Sequence, residues 1–316
     1  VGTDRPPVLV ILGPTATGKT EVAIEVARLI DGEIISADSR AFFAGLDVTT
    51  AKPTPHERAD IPHHLIDRVP LDGEYDAMSF RRDVKRLVPQ IVGRGRVPIL
   101  VGGGTVYLGA ILRGIFEGPA KDRSFRKRME GIPTDQLHRR LSAVDPDAAR
   151  AIHENDRLRI VRALEVYEST GRPISAWQRE AEPLPYDFRV FGLKRDRDDQ
   201  RRAIASRVDA MLEAGLVSEI ARLREEGLLS DRVQAFRTVG VKEVFGYLDG
   251  KLTGDQLREE IVRRTRSLAK RQTAWFKREK NVVWIDVTGR SATEVASEII
   301  RGWEKSDRPK DRNTSS

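Results

Sequence analysis

The sequence predicts an α/β protein, a parallel sheet covered by helices and interrupted by a helical insertion. Three observations lead there. The apolar run Val8-Leu9-Val10-Ile11-Leu12 passes through a glycine-containing turn into an amphipathic stretch with apolar Val22, Ala23, Val26, Ala27 and Ile30. Two more apolar runs, Glu33-Ile34-Ile35-Ser36-Ala37 and Val97-Pro98-Ile99-Leu100-Val101, flank a helical pattern from about Ser79 to Val92. Strands alternating with helices in this way build a parallel sheet buried on both faces. From about Ser124 the pattern becomes helical and heavily charged, until Val190-Phe191-Gly192-Leu193 resumes a strand.

The turn after the first strand is Gly13-Pro14-Thr15-Ala16-Thr17-Gly18-Lys19-Thr20. Between a buried strand and a helix, the pattern G-x-x-x-x-G-K-[ST] is a phosphate loop. Its glycines let successive backbone N–H groups point at a polyphosphate near the positive end of the helix. Lys19 reaches a terminal phosphate, and the Thr20 hydroxyl is placed to ligate Mg²⁺. A plain glycine turn accounts for the first glycine but not for the Lys-Thr pair. The core is therefore a P-loop sheet that takes a phosphorylated ligand, whose identity the loop leaves open.

At 316 residues the chain has room for a large core and a second unit. Hydrophobic residues make up 39% and charged residues 33%, a soluble globular balance. No apolar stretch approaches the roughly 20 residues that span a bilayer, and a cytoplasmic monomer is expected. Without cysteine there is no disulfide, thiolate metal site or thiol nucleophile. The net charge of +7 fits either a polyanionic partner or an evenly solvated basic surface. The expected divisions are residues 1–123 for the first part of the core, 124–187 for the insertion, 188–305 for core completion and basic helices, and 306–316 for a polar, disordered tail.

Asp38, Gly102-Gly103-Gly104 and the phosphate loop all follow predicted strands. Ligands of open parallel sheets sit outside the carboxyl ends of the strands, so the three should share one crevice. Asp38 opens a polar turn, Asp38-Ser39-Arg40, suited to a second substrate; generic NTPase carboxylates in this place hold Mg²⁺ or orient water. Adjacent His63 and His64 alternate faces and lack a third ligand at useful spacing, so they read poorly as a metal site. Late in the chain, Arg263 to Arg278 fits one helix, with Ile261, Leu268 and Trp275 seven apart as a seam on the core. Arg263, Arg266, Lys270 and Lys277 take other parts of its wheel. With Gln272, Trp275 and Phe276 interleaved, nucleic-acid contact is favoured over a merely solvated face.

These segments resemble the bacterial tRNA dimethylallyltransferases. The P-loop is shared by many NTPases; more specific are Ala37-Asp38-Ser39, Thr50-Ala51-Lys52-Pro53, Pro62-His63-His64-Leu65-Ile66-Asp67 and Leu100-Val101-Gly102-Gly103. Arg162-Ala163-Leu164-Glu165-Val166-Tyr167, Thr170-Gly171-Arg172-Pro173, Val239-Gly240-Val241-Lys242-Glu243 and Ala269-Lys270-Arg271-Gln272 to Trp275 complete the set in family order. The resemblance implies that the loop binds dimethylallyl diphosphate with Mg²⁺ at Thr20, that Lys19 neutralises the leaving group, and that Asp38 is the base for an adenine N6 of tRNA. It also implies tRNA contacts at Asp38, Ser39, Arg40, Ala41, Gly104, Arg126, Arg159, Arg162, Arg237, Lys242, Lys270, Arg271, Gln272 and Trp275. Three departures stand out. Gly-Gly-Thr-Gly-Leu-Tyr of the family is Gly102-Gly103-Gly104-Thr105-Val106-Tyr107 here, so either Thr105 takes over the contact of the displaced threonine or that contact is lost. A family tyrosine is Phe43, and a family glycine is Thr49. The rival readings are a nucleotide kinase or NTPase, a transferase acting on free adenine nucleotides, and a non-catalytic RNA-binding protein.

Overall fold

The computed structural model describes residues 5–54, 57, 58 and 60–307. Along the chain come β1 (Pro7–Leu12), α1 (Lys19–Leu29), β2 (Gly32–Ser36), α2 (Asp47–Thr50), β3 (His63–His64), α3 (Ala77–Gly93), β4 (Val97–Gly102) and α4 (Thr105–Leu112). Five helices follow: α5 (Arg123–Glu130), α6 (Thr134–Val144), α7 (Pro146–Ala151), α8 (Arg157–Thr170) and α9 (Ile174–Arg179). Then come β5 (Asp187–Lys194), α10 (Arg197–Glu213), α11 (Leu216–Glu225), a 3₁₀ turn (Gln234–Arg237), α12 (Val241–Leu248), α13 (Gly254–Phe276), β6 (Val282–Asp286) and α14 (Ala292–Asp307).

The strands form one parallel sheet in the order β3-β2-β4-β1-β5-β6. Leu12 at the end of β1 lies opposite Gly102 at the end of β4, so these two strand ends are level, and opposite Gly192 of β5, which runs on to Lys194. β4 intervenes between β1 and β2, which separates Asp38 from the phosphate loop by a full strand. The chain divides into two compact units, residues 1–108 with 185–316, and Gly109–Leu184. The helical insertion thus begins at Gly109 rather than near Ser124, because α4 carries the chain out of the sheet before the charged pattern starts.

Val8 to Leu12 are fully buried, as a central parallel strand requires. Val22, Val26 and Ala27 of α1 join Val295, Ile299 and Trp303 of α14 in one core cluster with Leu9, Ile11, Ile99 and Leu193. Phe42, Tyr75, Phe80 and Tyr107 pack as an aromatic group with ring centroids 4.5–6.4 Å apart. A further core joins Phe43 and Leu46 to α10, α11, α12 and α13 through Ile204, Leu216, Ile220, Val241 and Ile261.

After Asp198 the chain is mainly helical, and Val282–Asp286 adds the edge strand β6 beside β5. Of the tail expected at 306–316, residues 308–316 lie outside the described residues, and α14 extends to Asp307. Among the described residues no helix is long and apolar enough to cross a membrane.

Candidate active site

The phosphate loop joins β1 to α1 with its shape already set. Gly18 occupies the helix N-cap in the left-handed region, φ 73°, where a side chain is costly. The Thr17 hydroxyl, fully buried, donates to the Pro14 carbonyl at 2.9 Å and closes the turn. Lys19 Nζ donates to the same carbonyl at 2.7 Å, and its ammonium has two further protons to offer a phosphate. Burial pulls the Lys19 pKa down to about 8, against the opposing pull of Asp38; Arg207 lowers it further and Glu21 raises it. Thr20 is exposed in the first turn of α1, where a hydroxyl beside a bound polyphosphate can meet Mg²⁺.

Asp38 lies just beyond β2, half-buried, its Oδ1 accepting from the Arg40 N–H at 2.9 Å. Among the described residues its Oδ2 makes no hydrogen bond. Arg40 turns inward and donates to the Gln234 carbonyl at 3.3 Å; burial lowers its pKa and Asp38 opposes that shift. Ala41 is buried, so its side chain belongs to the core rather than to an RNA-facing surface. The glycines after β4 fit against this turn. A Cβ on Gly102 would lie 2.5 Å from the Ala37 carbonyl, and one on Gly104 would lie 2.3 Å from the Ala37 oxygen. The Gly104 N–H instead donates to that oxygen at 3.1 Å. Lys19, Asp38 and the glycines therefore gather at the carboxyl ends of β1, β2 and β4, as the sequence anticipates.

Arg207 of α10 is a residue that sequence reading missed. It donates to the Thr50 carbonyl at 3.2 Å; burial lowers its pKa, against the pull of Asp38 and Glu21. Lys19, Arg207 and the Asp38 carboxylate thus lie within electrostatic reach of one another.

The basic helix α13 carries its seam differently from the heptad expectation. Its buried residues are Leu257, Ile261, Val262, Ala269, Gln272 and Phe276, whereas Leu268 and Trp275 are only half-buried. A seven-residue step drifts about 20° per repeat on a straight helix, so the stripe moves off the heptad line. Lys270 and Arg271 are exposed, as are Arg237 and Lys242 nearby in sequence. Gln272 faces inward instead, at 9% exposure.

His63 and His64 form the edge strand β3. His64 Nε2 meets the buried Glu33 carboxylate at 2.7 Å, and His63 Nδ1 meets the Ile61 carbonyl at 2.7 Å. Lys52 of the Ala-Lys-Pro segment is structural. Its side chain is 2% exposed, with Nζ donating to the Phe43 carbonyl at 2.8 Å, Asp47 at 2.7 Å and Asp67 at 2.5 Å.

In the helical unit, Arg126 and Arg162 converge on Glu165, which is 0% exposed. Arg126 binds it with two bonds of 2.8 and 2.9 Å, Arg162 with one of 2.7 Å, and the Asp122 N–H adds another at 2.8 Å. Arg159 is exposed and pairs with Asp156 at 3.4 Å.

A family model described as IPP transferase matches residues 41–279. The chain belongs to the IPP transferase family. It is 42% identical over 295 residues to the tRNA dimethylallyltransferase of Thermotoga maritima, covering 92% of this chain and 96% of that protein. With tRNA dimethylallyltransferase 2 of Geotalea uraniireducens it shares 40% over 305 residues, 95% of this chain and 98% of that one. Among solved structures, the tRNA isopentenylpyrophosphate transferase of Staphylococcus epidermidis matches with TM-score 0.70 and 33% identity, covering 96% of this chain and 100% of that one. A eukaryotic dimethylallyltransferase described as acting on tRNA gives TM-score 0.84 at 28% identity, over 98% of this chain and 81% of the other.

The departures of this IPP transferase from the resemblance have local explanations. Position 104 has no room for a side chain against Ala37, and the threonine stands one place later, at the first residue of α4. Thr49, where a glycine was expected, donates through Oγ1 to Glu219 at 2.6 Å. Phe43 is fully buried in the core with α10 to α13.

Proposed function

We propose that this IPP transferase moves a dimethylallyl group from dimethylallyl diphosphate to N6 of an adenosine in tRNA, next to the anticodon. The observation that carries the reading is the separation of charge at the strand ends. Lys19 follows β1 on the phosphate loop, Asp38 follows β2, and the glycines that follow β4 lie between them. Cations on one side suit a departing diphosphate, and a carboxylate on the other suits an incoming amine.

The C1–oxygen bond of the allylic substrate breaks as N6–C1 forms. The electron pair leaves with the diphosphate, which Lys19 and Arg207 neutralise. Thr20 would hold Mg²⁺, which would supply Lewis-acid stabilisation of that leaving group. The N6 lone pair is delocalised into the adenine ring, so its proton becomes acidic only as the new bond develops. Asp38 then accepts it through Oδ2, a task that requires reach rather than a raised pKa. Thr105, at the start of α4 next to the Gly104–Ala37 contact, would steady the acceptor. Unstacking the adenine costs a few kcal/mol, offset by contacts around the reacting centre. The exposed Arg237, Lys242, Lys270 and Arg271 on the sheet unit, and Arg159 on the helical unit, supply cations for the RNA backbone.

The test is a transfer assay with Mg²⁺, labelled dimethylallyl diphosphate and unmodified tRNA whose anticodon is followed by an adenine run. AMP and ATP serve as parallel acceptors. Label in a prenylated adenosine of the tRNA is the expected result. Label in free nucleotide alone would reassign the acceptor, and phosphate release from ATP without RNA would favour an NTPase.

A further inference from the structure

Gln272 sits on the helix that carries the exposed basic residues, yet its side chain points the other way. Its Oε1 accepts from the Thr15 N–H of the phosphate loop at 2.9 Å, and its Nε2 donates to the Gly103 carbonyl at 2.9 Å. A Cβ on residue 103 would lie 2.5 Å from that Nε2, so glycine there admits the amide. The other side of the loop is fastened as well, because Gln200 Nε2 donates to the Thr15 carbonyl at 3.1 Å. The residue after Thr15, Ala16, holds φ 62°, a conformation an alanine keeps only where its neighbours impose it.

From these contacts we infer that Gln272 is a positioning residue for the diphosphate site, acting through Thr15 and Gly103, and not a contact to RNA. A primary amide is suited to this place, since it offers one acceptor and one donor on a single planar group. The loop N–H and the glycine carbonyl are backbone groups that each need a partner where they are withdrawn from water. By satisfying both, Gln272 fixes the crown of the loop relative to the end of β4. The inference rests on the proposed use of the loop for a diphosphate.

Two variants and two ligands test it. Inorganic pyrophosphate with Mg²⁺ and unmodified tRNA are titrated separately against the intact protein. Gln272→Met keeps the length and bulk but loses both bonds; it should bind pyrophosphate about tenfold more weakly, the loss expected for two modest hydrogen bonds. Its tRNA affinity should stay within about twofold of the unmodified chain, a contact-neutral change. Gln272→Glu adds an internal control. As a carboxylate it faces the Gly103 oxygen with an acceptor and a charge, whereas as a carboxylic acid it again offers one acceptor and one donor. Its pyrophosphate affinity, relative to the unmodified chain at each pH, should therefore recover as pH falls, and that of Gln272→Met should not. Such a pH-dependent recovery within one protein is not produced by a folding defect.

Unchanged pyrophosphate affinity in Gln272→Met overturns the inference while leaving the diphosphate reading intact. So does weakened tRNA binding with normal pyrophosphate binding, which would make Gln272 an RNA contact. Failure of the unmodified chain to bind pyrophosphate removes the diphosphate reading and this inference with it.

Discussion

Lys19 illustrates how one residue's surroundings set its chemistry. Burial brings its ammonium to about 8, so in the free protein it loses its proton a little above neutrality. A diphosphate that arrives beside it favours the charged form and restores the proton. Binding at pH above 8 should therefore take up protons, and the affinity should fall as pH rises through that value. Calorimetry of pyrophosphate binding in buffers of different ionisation enthalpy measures the uptake directly. In Lys19→Arg the signal should vanish, because a guanidinium stays charged throughout this range. A binding reaction in the unmodified chain without proton uptake would place the diphosphate away from Lys19.

At the scale of elements, the short helix α2 depends on a carboxylate from a distant part of the chain. Glu219 of α11 accepts from the backbone N–H groups of Asp47, Val48 and Thr49 at 2.8–3.0 Å. These are donors that a helix start leaves open, and a negative charge there also complements the helix dipole. Glu219→Ala should destabilise the protein by about 2 kcal/mol, at the upper end of a lost cap. Thermal unfolding would check it, with Glu219→Gln recovering part of the loss.

Such long-range partnerships mark where the sequence stops being legible. β1, the phosphate loop and α1 can be read directly because strand, turn and helix are contiguous and each has a local signature. Lys19 and Asp38 follow, since both are fixed by their place after a strand. β6 escapes because Val282 to Asp286 is an edge strand with mixed burial and no clean alternation. Arg207 and Gln200 escape for another reason: they stand on a helix with Arg197, Arg201 and Arg202, and nothing local tells an inward side chain from its solvated neighbours. Gln272 can be seen as part of a motif, but its facing depends on a small helical drift that only the folded helix resolves.

The molecule as a whole keeps its helical unit together with a charge cluster of its own. Burial would raise the Glu165 pKa, but hydrogen bonds from Arg126, then Arg162 and the Asp122 N–H, outweigh it and hold the group at about 2. A carboxylate lowered in this way stabilises the fold at pH above its ordinary value of 4.5, and that contribution is lost as pH falls towards 2. Glu165→Gln leaves two arginines without their counter-charge and should cost about 3 kcal/mol at neutral pH. The deficit relative to the unmodified chain should shrink steadily over the acid range. Chemical denaturation at a series of pH values measures it, and a constant deficit would rule out the linkage.

The order of strands also works as a ruler. Neighbouring strands stand about 4.8 Å apart, so the ends of β1 and β2, with β4 between them, are set about 10 Å from each other. Attack of an amine on an allylic carbon needs about 3 Å from nitrogen to carbon, and roughly another 3 Å from nitrogen to the accepting oxygen. A bridging oxygen and phosphorus fill the remainder. On the proposed reading, the sheet thus measures out a line of atoms long enough for alkyl transfer. Asp38→Glu would keep the carboxylate but overrun that line by a methylene. Its expected signature is tRNA affinity unchanged and turnover reduced about a hundredfold, the loss that follows from misplacing a catalytic group by about 1 Å.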